Sequence, residues 1–192
     1  MSKIAIVYHS GYGHTKVLAD SVAAGARAVP GTEVALIPVA EAETRAAELD
    51  AADAIVFGAP TYMGSASAPF KAFMDWSSKV WFTQGWKDKL AAGFTNSASQ
   101  SGDKLNTLMQ MAVFAMQHGM IWVGLGLMPG NNSSKGSIAD LNRIGSYLGA
   151  MAQSDSDASP EEAPIESDRK TAEHLGRRVA LQARQLGFAN AA

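Results

Sequence analysis

The sequence predicts an α/β fold, a doubly wound parallel sheet of five strands that forms a single domain. Two apolar runs, residues 3–8 and 53–59, lack alternation of polar and apolar side chains, which indicates strands buried on both faces of a sheet. Helical patterns separate the strands, so we expect parallel pairing through right-handed crossovers. A length of 192 residues suits one domain, and we expect it to span residues 1–192.

The remaining elements follow from hydrophobic spacing and from turn residues. Pro30 and Gly31 end the helix after the first strand, and Pro69 marks the start of a later helix. We predict further strands at 32–38, 90–95 and 120–123, a short helix at 41–50 and a C-terminal helix at 167–186. Of the two common doubly wound orders, 2-1-3-4-5 brings together the three most unusual loops of the chain.

The helix after the fourth strand has the clearest periodicity in the chain. Leu105, Leu108, Met109, Ala112 and Met116 recur at i, i+3, i+4, i+7 and i+11. We therefore expect this stripe to face the core, with the methionines filling space between other apolar side chains.

Residues 124–166 do not fit the alternation of strands and helices. A connection this long is usually functional or disordered, and we predict a long loop insertion before the C-terminal helix. Its acidic part, residues 155–163, is typical of a solvated loop. Residues 147–151 are apolar enough to pack on another element.

The first loop, between a buried strand and a helix, has the composition of an anion site. It consists of Ser10, Gly11, Tyr12, Gly13, His14 and Thr15. The helix start would offer unpaired N–H groups, and the glycines would let the backbone approach a phosphate. No Walker loop is present, and Lys16 occupies the third glycine position of the dinucleotide fingerprint. The loop suits a terminal phosphate monoester, as in FMN, although an ordinary strand–helix loop has similar residues.

Two further loops would meet the first at the carboxyl edge of the sheet. In the order 2-1-3-4-5, the ligand crevice is lined by the loops after strands 1, 3 and 4. The second loop contains Pro60, Thr61, Tyr62, Met63 and Gly64, and the third contains Asn96, Ser97, Ala98, Ser99, Gln100 and Ser101. Three unusual loops at one crevice are a stronger indication of a ligand site than any one of them.

Four stretches resemble one family in order and spacing. They are residues 8–15, 57–64, 95–102 and 118–120. They are similar to the flavodoxin-like NAD(P)H:quinone oxidoreductases of the tryptophan-repressor-binding-protein type, within the NAD(P)H-dependent FMN reductases. The resemblance implies a flavodoxin-like fold and FMN held by all three loops. It also implies NADH or NADPH as co-substrate and a small quinone as acceptor. The third loop departs from the family, which is rich in glycine and threonine there.

The resemblance also assigns roles to three side chains. It implies that His118 is catalytic and contacts the flavin, that Tyr12 meets the nicotinamide, and that Trp81 stacks the quinone. A histidine at a helix end is otherwise a capping residue, and tryptophan is also enriched at subunit contacts. We expect a homodimer or homotetramer, with residues 76–86 and 124–166 close to the contacts.

Composition excludes several other classes of function. A net charge of −2 gives no electrostatic basis for binding nucleic acid. The chain has no cysteine, and neither a metal cluster nor an apolar run long enough to span a membrane stands out. These features are typical of a cytoplasmic protein.

Three functions remain open from the sequence. The first is two-electron transfer from NAD(P)H to a quinone through bound FMN. The second is a flavodoxin that carries single electrons between proteins, although such carriers are expected to be strongly acidic. The third is a flavin-binding regulator without turnover, because fold and cofactor do not fix function.

Overall fold

The computed structural model describes residues 1–187, and residues 188–192 of the predicted domain lie outside the described part. The strands are β1 (Ser2–Tyr8), β2 (Thr32–Pro38), β3 (Ala54–Tyr62), β4 (Ser65–Ala66), β5 (Leu90–Ser97), β6 (Ile121–Trp122) and β7 (Ala150–Gln153). The helices are α1 (His14–Arg27), α2 (Ala46–Asp50), α3 (Ala68–Trp76), α4 (Ser78–Phe82), α5 (Lys104–Gln117) and α6 (Glu166–Gly187), and a 3₁₀ turn spans Val39–Glu41.

The sheet confirms the predicted fold class and the order of its first four strands. Its path is β2-β1-β3-β5-β6, and all of these neighbours pair in parallel. β4 is a two-residue piece that pairs antiparallel with the end of β3. The carboxyl ends of β1, β3 and β5 therefore meet at one edge of the sheet, as the predicted order requires.

The fifth position of the sheet is shared by two short strands. β6 lies beside Leu90 and Ala91, at the start of β5, whereas β7 lies beside residues 94–97 at its end. The predicted strand at 120–123 thus accounts for only half of this position. The long connection is correspondingly not one loop, because β7 returns to the sheet within it. The apolar pattern of residues 147–151 reflects this return.

Helices cover both faces of the sheet. α1 and α6 lie on one face, where each uses a glycine for close approach: a Cβ on Gly25 or on Gly176 would overlap backbone of the other helix. α3 and α5 cover the opposite face over an aromatic cluster that includes Phe57, Phe73 and Phe114. Within residues 1–187, every helix is too short or too polar to cross a membrane.

The orientation of α5 differs from the prediction. Leu108 is buried, but Leu105, Met109 and Met116 are about half exposed, so the expected role of both methionines in the core is wrong. The buried face instead contains Lys104, Thr107, Leu108, Met111, Phe114 and Ala115. Both faces of this helix are apolar enough to pack, and the large ring of Phe114 fits the aromatic cluster. Periodicity alone could not distinguish the two faces.

Candidate functional site

The first loop folds around the hydroxyl of Ser10. The backbone N–H groups of Gly13 and Lys16 both donate to Ser10 Oγ, each at 3.1 Å. Gly13 has a φ of 95°, and a Cβ on Gly11 would lie 2.6 Å from Tyr62 Oη. The two glycines are thus needed for the turn and for the close approach of the second loop.

This arrangement leaves several hydrogen-bond donors at the start of α1 free. Within residues 1–187, the N–H groups of Tyr12, His14 and Thr15 have no protein acceptor. The positive end of the α1 dipole lies at the same point. Free donors at a helix N-terminus are the arrangement that binds a phosphate group.

The second loop has one buried and one partly exposed residue, Thr61 and Tyr62. Thr61 Oγ1 is buried and lies 2.8 Å from both Thr95 Oγ1 and Thr107 Oγ1. Tyr62 is 38% exposed and packs edge to face against Tyr12, with ring centroids 6.3 Å apart. Partial burial raises the pKa of the Tyr62 hydroxyl, which therefore stays neutral at physiological pH.

The third loop has two sides. Asn96 and Ala98 face the first two loops, and Asn96 Oδ1 accepts a hydrogen bond from Ser154 Oγ at 2.9 Å. Ser97 and Ser99 instead accept hydrogen bonds from Lys104 Nζ. Gln100 and Ser101 line a separate cavity of about 770 Å³ between α5 and the insertion. Only part of the predicted third loop thus faces the crevice.

The three loops enclose a cavity of about 370 Å³, which is large enough for a ring system. It is lined by Tyr12, His14, Thr15, Pro60, Tyr62, Asn96, Ala98, Ser154 and Ser156. Met63, with a φ of 49°, and Gly64 form the outer turn of the second loop and are not in the lining.

A fourth segment, residues 154–160, completes the cavity, and all of it except Ser154 lies in the stretch 155–163 that we predicted to be a solvated loop. Ser154 and Ser156 line it, and His14 Nε2 donates to the Ala158 carbonyl at 2.9 Å. Pro160 packs over Gly13, where a Cβ would overlap the proline ring. The available signal was the series of serines at 154, 156 and 159, which resembles the serine-rich third loop.

His118 lies at the opposite edge of the sheet. It follows α5 and precedes β6, whose first residue pairs with Leu90 at the start of β5. Because a strand rises about 3.3 Å per residue, Leu90 at the start of β5 lies about 20 Å from Asn96 near its end. His118 lies on the Leu90 side. The predicted contact between His118 and a ligand in its own chain's crevice is therefore not supported.

The surroundings of His118 are those of a core residue. It is 1% exposed, its Nε2 lies 3.0 Å from Ser77 Oγ, and its ring packs on Trp86 and Phe114. Burial lowers the pKa of His118 to about 4, and Nδ1 has no hydrogen-bond partner among residues 1–187. The imidazole is thus neutral at physiological pH.

Trp81 lies at the same edge as His118. Its backbone N–H donates to the Ser77 carbonyl at 2.9 Å, and Ser77 also contacts His118. The indole is 48% exposed, whereas Trp86 of the same aromatic run is completely buried. The structure therefore brings Tyr12 into the crevice, but not Trp81 from the same chain. Tyr62 takes the position of the second aromatic wall.

The chain is similar to known flavodoxins and NAD(P)H dehydrogenases. The profile of the family described as NADPH-dependent FMN reductase matches residues 3–133. Flavodoxin FldP of Pseudomonas aeruginosa is 47% identical over 188 residues, covering 97% of this chain and 99% of its own. An NAD(P)H dehydrogenase (quinone) of Archaeoglobus fulgidus is 34% identical over 209 residues, covering 97% of this chain and 100% of its own.

A solved structure matches nearly the whole chain. The flavodoxin, WrbA-like protein from Agrobacterium tumefaciens is 44% identical and superposes with a TM-score of 0.76. The match covers 96% of this chain and 99% of that one. A flavodoxin from the domain Archaea, 20% identical with a TM-score of 0.65, has the same fold.

Proposed function

The chain belongs to the NADPH-dependent FMN reductase family, and we propose that it binds one FMN and catalyses two-electron transfer from NADH or NADPH to a quinone. The observation that carries this proposal is the set of free backbone donors at the start of α1, beside a cavity with aromatic walls. The resemblance in the sequence and the relatives named quinone dehydrogenases favour the same activity.

The first loop fits the phosphate of FMN. Tyr12, His14 and Thr15 would donate backbone N–H groups to it, and all three residues line the same cavity. These donors are neutral, so they suit a phosphate that is recognised by backbone geometry more than by side-chain cations. Gly11 and Gly13 would let Tyr62 and Pro160 pack closely against this loop.

The second and third loops fit the ring system. Bound FMN would supply the hydride chemistry, while the chain would supply orientation and electrostatics. Tyr12 and Tyr62 offer partly exposed aromatic faces to a planar ring, and Asn96 and Ser154 form a polar floor. Because the described residues form one cavity between the three loops, we propose that the nicotinamide and the quinone use it in turn.

A second candidate function is a flavodoxin that carries single electrons. The 47% identical relative named Flavodoxin FldP favours it. The net charge of −2 favours the enzyme instead, because electron carriers dock on partner proteins through strong charge. The third function, a flavin-binding regulator, would bind FMN and show no turnover in the assay described below.

We also propose that the protein assembles as a homodimer or homotetramer in the cytoplasm, where NADH and NADPH are available. Leu105, Met109, Val113 and Met116 form an exposed apolar face on α5, and Phe82 on α4 is 83% exposed. Apolar faces of this kind are commonly covered by a symmetric partner. Light scattering of the FMN-bound protein at micromolar concentration tests this, and a monomer would contradict it.

A spectrum followed by a turnover assay tests the function. We expect the purified protein to take up one FMN per chain and to oxidise NADH or NADPH only when a quinone is added. Varying quinone at several NAD(P)H concentrations should give parallel double-reciprocal lines, since one crevice serves both substrates. Intersecting lines would contradict shared use of the crevice. Accumulation of a one-electron-reduced flavin without NAD(P)H turnover would favour the electron carrier.

A further inference from the structure

We propose that Lys104 tunes the flavin site electrostatically, as a buried cation behind the third loop that favours reduced FMN over oxidised FMN. The inference rests on the proposed function, because it concerns the same cavity. Lys104 is only 1% exposed, although lysine is among the residues least often buried without an ionic partner. The burial of its side chain at the start of α5 therefore suggests that the charge has a function.

Lys104 Nζ is held by the third loop itself. It donates to Ser97 Oγ at 2.7 Å and to the Ser99 carbonyl at 2.8 Å. These two residues flank Ala98, which lines the 370 Å³ cavity. The ammonium group thus lies directly behind the wall that the ring of FMN would face.

The loop is shaped to enclose this ammonium group. Gly102 and Asp103 both have a φ of 53°, which turns the chain back sharply at the start of α5. A Cβ on Gly102 would overlap Ser97 Oγ, one of the two acceptors of Lys104. The left-handed turn therefore brings the lysine of the first helical turn under the loop that precedes it.

The direct partners of Lys104 leave its charge uncompensated. A hydroxyl and a carbonyl oxygen accept its hydrogen bonds, and neither carries a negative charge. Asp168 of α6 and Arg143 of the insertion are the charged groups that act on it from neighbouring elements. Those two form a bidentate ion pair, with Arg143 Nε and Nη2 at 2.8 and 2.7 Å from the carboxylate of Asp168. The two groups therefore act on Lys104 in opposite directions.

This environment makes the charge titratable near neutral pH. Burial lowers the pKa of Lys104 to about 8, with Asp168 opposing and Arg143 adding to the shift. The lysine is thus cationic at pH 7 and neutral in alkaline solution. Two-electron reduction gives the ring of FMN an anionic form, which a cation in a region of low dielectric constant stabilises.

The reduction potential of bound FMN tests the inference. We compare wild type with Lys104→Met and with the control Lys89→Met. Lys89 is also a partly buried lysine with a lowered pKa, but it donates to the Asp50 and Ala52 carbonyls at the opposite edge of the sheet. The two-electron midpoint potential is measured by spectroelectrochemistry over a range of pH.

At about pH 6.5, we expect Lys104→Met to bind reduced FMN about tenfold more weakly, relative to oxidised FMN, than wild type does. This ratio corresponds to a potential about 30 mV lower. By reciprocity, reduced FMN raises the pKa of Lys104 by about one unit, so the difference should vanish by about pH 10. Lys89→Met should match wild type throughout.

Two results would overturn the inference while leaving the proposed function intact. One is an unchanged potential in Lys104→Met, and the other is a difference that does not vary with pH, which would indicate only a loosened loop. A wild-type protein that takes up no FMN would overturn both. If Lys104→Met does not fold, Lys104→Gln and the steeper pH dependence expected of wild type above about pH 7 provide the same comparison.

Discussion

Both edges of the sheet carry polar and aromatic residues, which are buried around His118 at the amino edge and accessible around Tyr12 at the carboxyl edge. At the amino edge, His118, Ser77 and Trp86 are packed together and almost inaccessible. At the carboxyl edge, the N–H groups of Tyr12, His14 and Thr15 have no protein acceptor among residues 1–187, and Tyr12 is 78% exposed. A binding site is thus recognised here by unpaired donors and open aromatic faces. The presence of histidine or tryptophan is a weaker indication.

The largest expected effect that separates the two edges is a loss of FMN from Gly13→Asp. Gly13 has a φ of 95° and lies under Pro160, and a carboxylate would repel the phosphate. We expect FMN affinity to fall by at least about 100-fold, because backbone strain and charge repulsion add. Fluorescence titration with FMN measures it.

Gly31→Asp is the matched control for this change. Gly31 has a φ of 78° in the turn before β2, at the amino edge, and a Cβ there meets no atom within 4 Å. The control should lose some stability and keep its FMN affinity. Equal affinity in Gly13→Asp and wild type would exclude the first loop as the phosphate site.

A smaller effect concerns the amino edge and acid stability. The pKa of His118 is about 4 in the folded protein against about 6.5 when unfolded, so the unfolded state binds more protons between these values. Stability is therefore complete above about pH 6.5 and falls as the pH decreases towards 4. From pH 7 to pH 5 we expect this residue to remove about 2 kcal/mol from the free energy of unfolding.

Urea unfolding of wild type and His118→Gln at both pH values measures that contribution. The variant should lose about 2 kcal/mol less than wild type between pH 7 and pH 5, while the contributions of other histidines cancel. An identical pH dependence in the two proteins would mean that the histidine is accessible and protonated in the folded state. It would also reopen its assignment as a site residue.

The smallest effect compares aromatic side chains at the two edges. Tyr12→Ala should lower kcat/KM for the quinone about tenfold, because a wall of the crevice is removed. Trp81→Ala should retain the wild-type value, because the indole lies at the opposite edge of its own chain. A loss of the same size in Trp81→Ala would show that the assembled protein brings Trp81 to a neighbouring chain's crevice.

The sequence predicted the parts of the fold that depend on local patterns. The apolar runs of β1 and β3 and the punctuation at Pro30 and Pro69 correspond to the observed elements. The predicted face of α5 was wrong because the stripe with Met109 and Met116 is as apolar as the observed buried face. The packing of Phe114 against Phe57 distinguishes the two faces. Tertiary contacts decide such cases.

The sequence predicted the loops that follow consecutive parallel strands. It missed the segment that reaches the cavity only after the long connection re-enters the sheet as β7. The loops after β1, β3 and β5 meet because parallel strands share a carboxyl edge. Ser154 and Ser156 reach the cavity only because β7 re-enters the sheet, which a polar run after a long connection does not reveal. His118 was assigned by resemblance, and its sequence position gives no distance to the crevice.

Because β6 and β7 share the fifth position of the sheet, the segment that connects them could be replaced by another. β6 ends beside Ala91 and β7 begins beside Phe94, so only two positions of β5 separate the points where the chain leaves and returns. The two ends of this segment are joined by a hydrogen bond of 2.9 Å from the Leu125 N–H to the Tyr147 carbonyl. We expect segments of other lengths grafted between residues 130 and 141 to leave the register of the sheet unchanged, because loop closure costs little once the ends are fixed. This choice keeps Asn142 and Arg143, which are bonded to α6 through Thr171 and Asp168. Substrate access and assembly could then be redesigned independently of the flavin crevice.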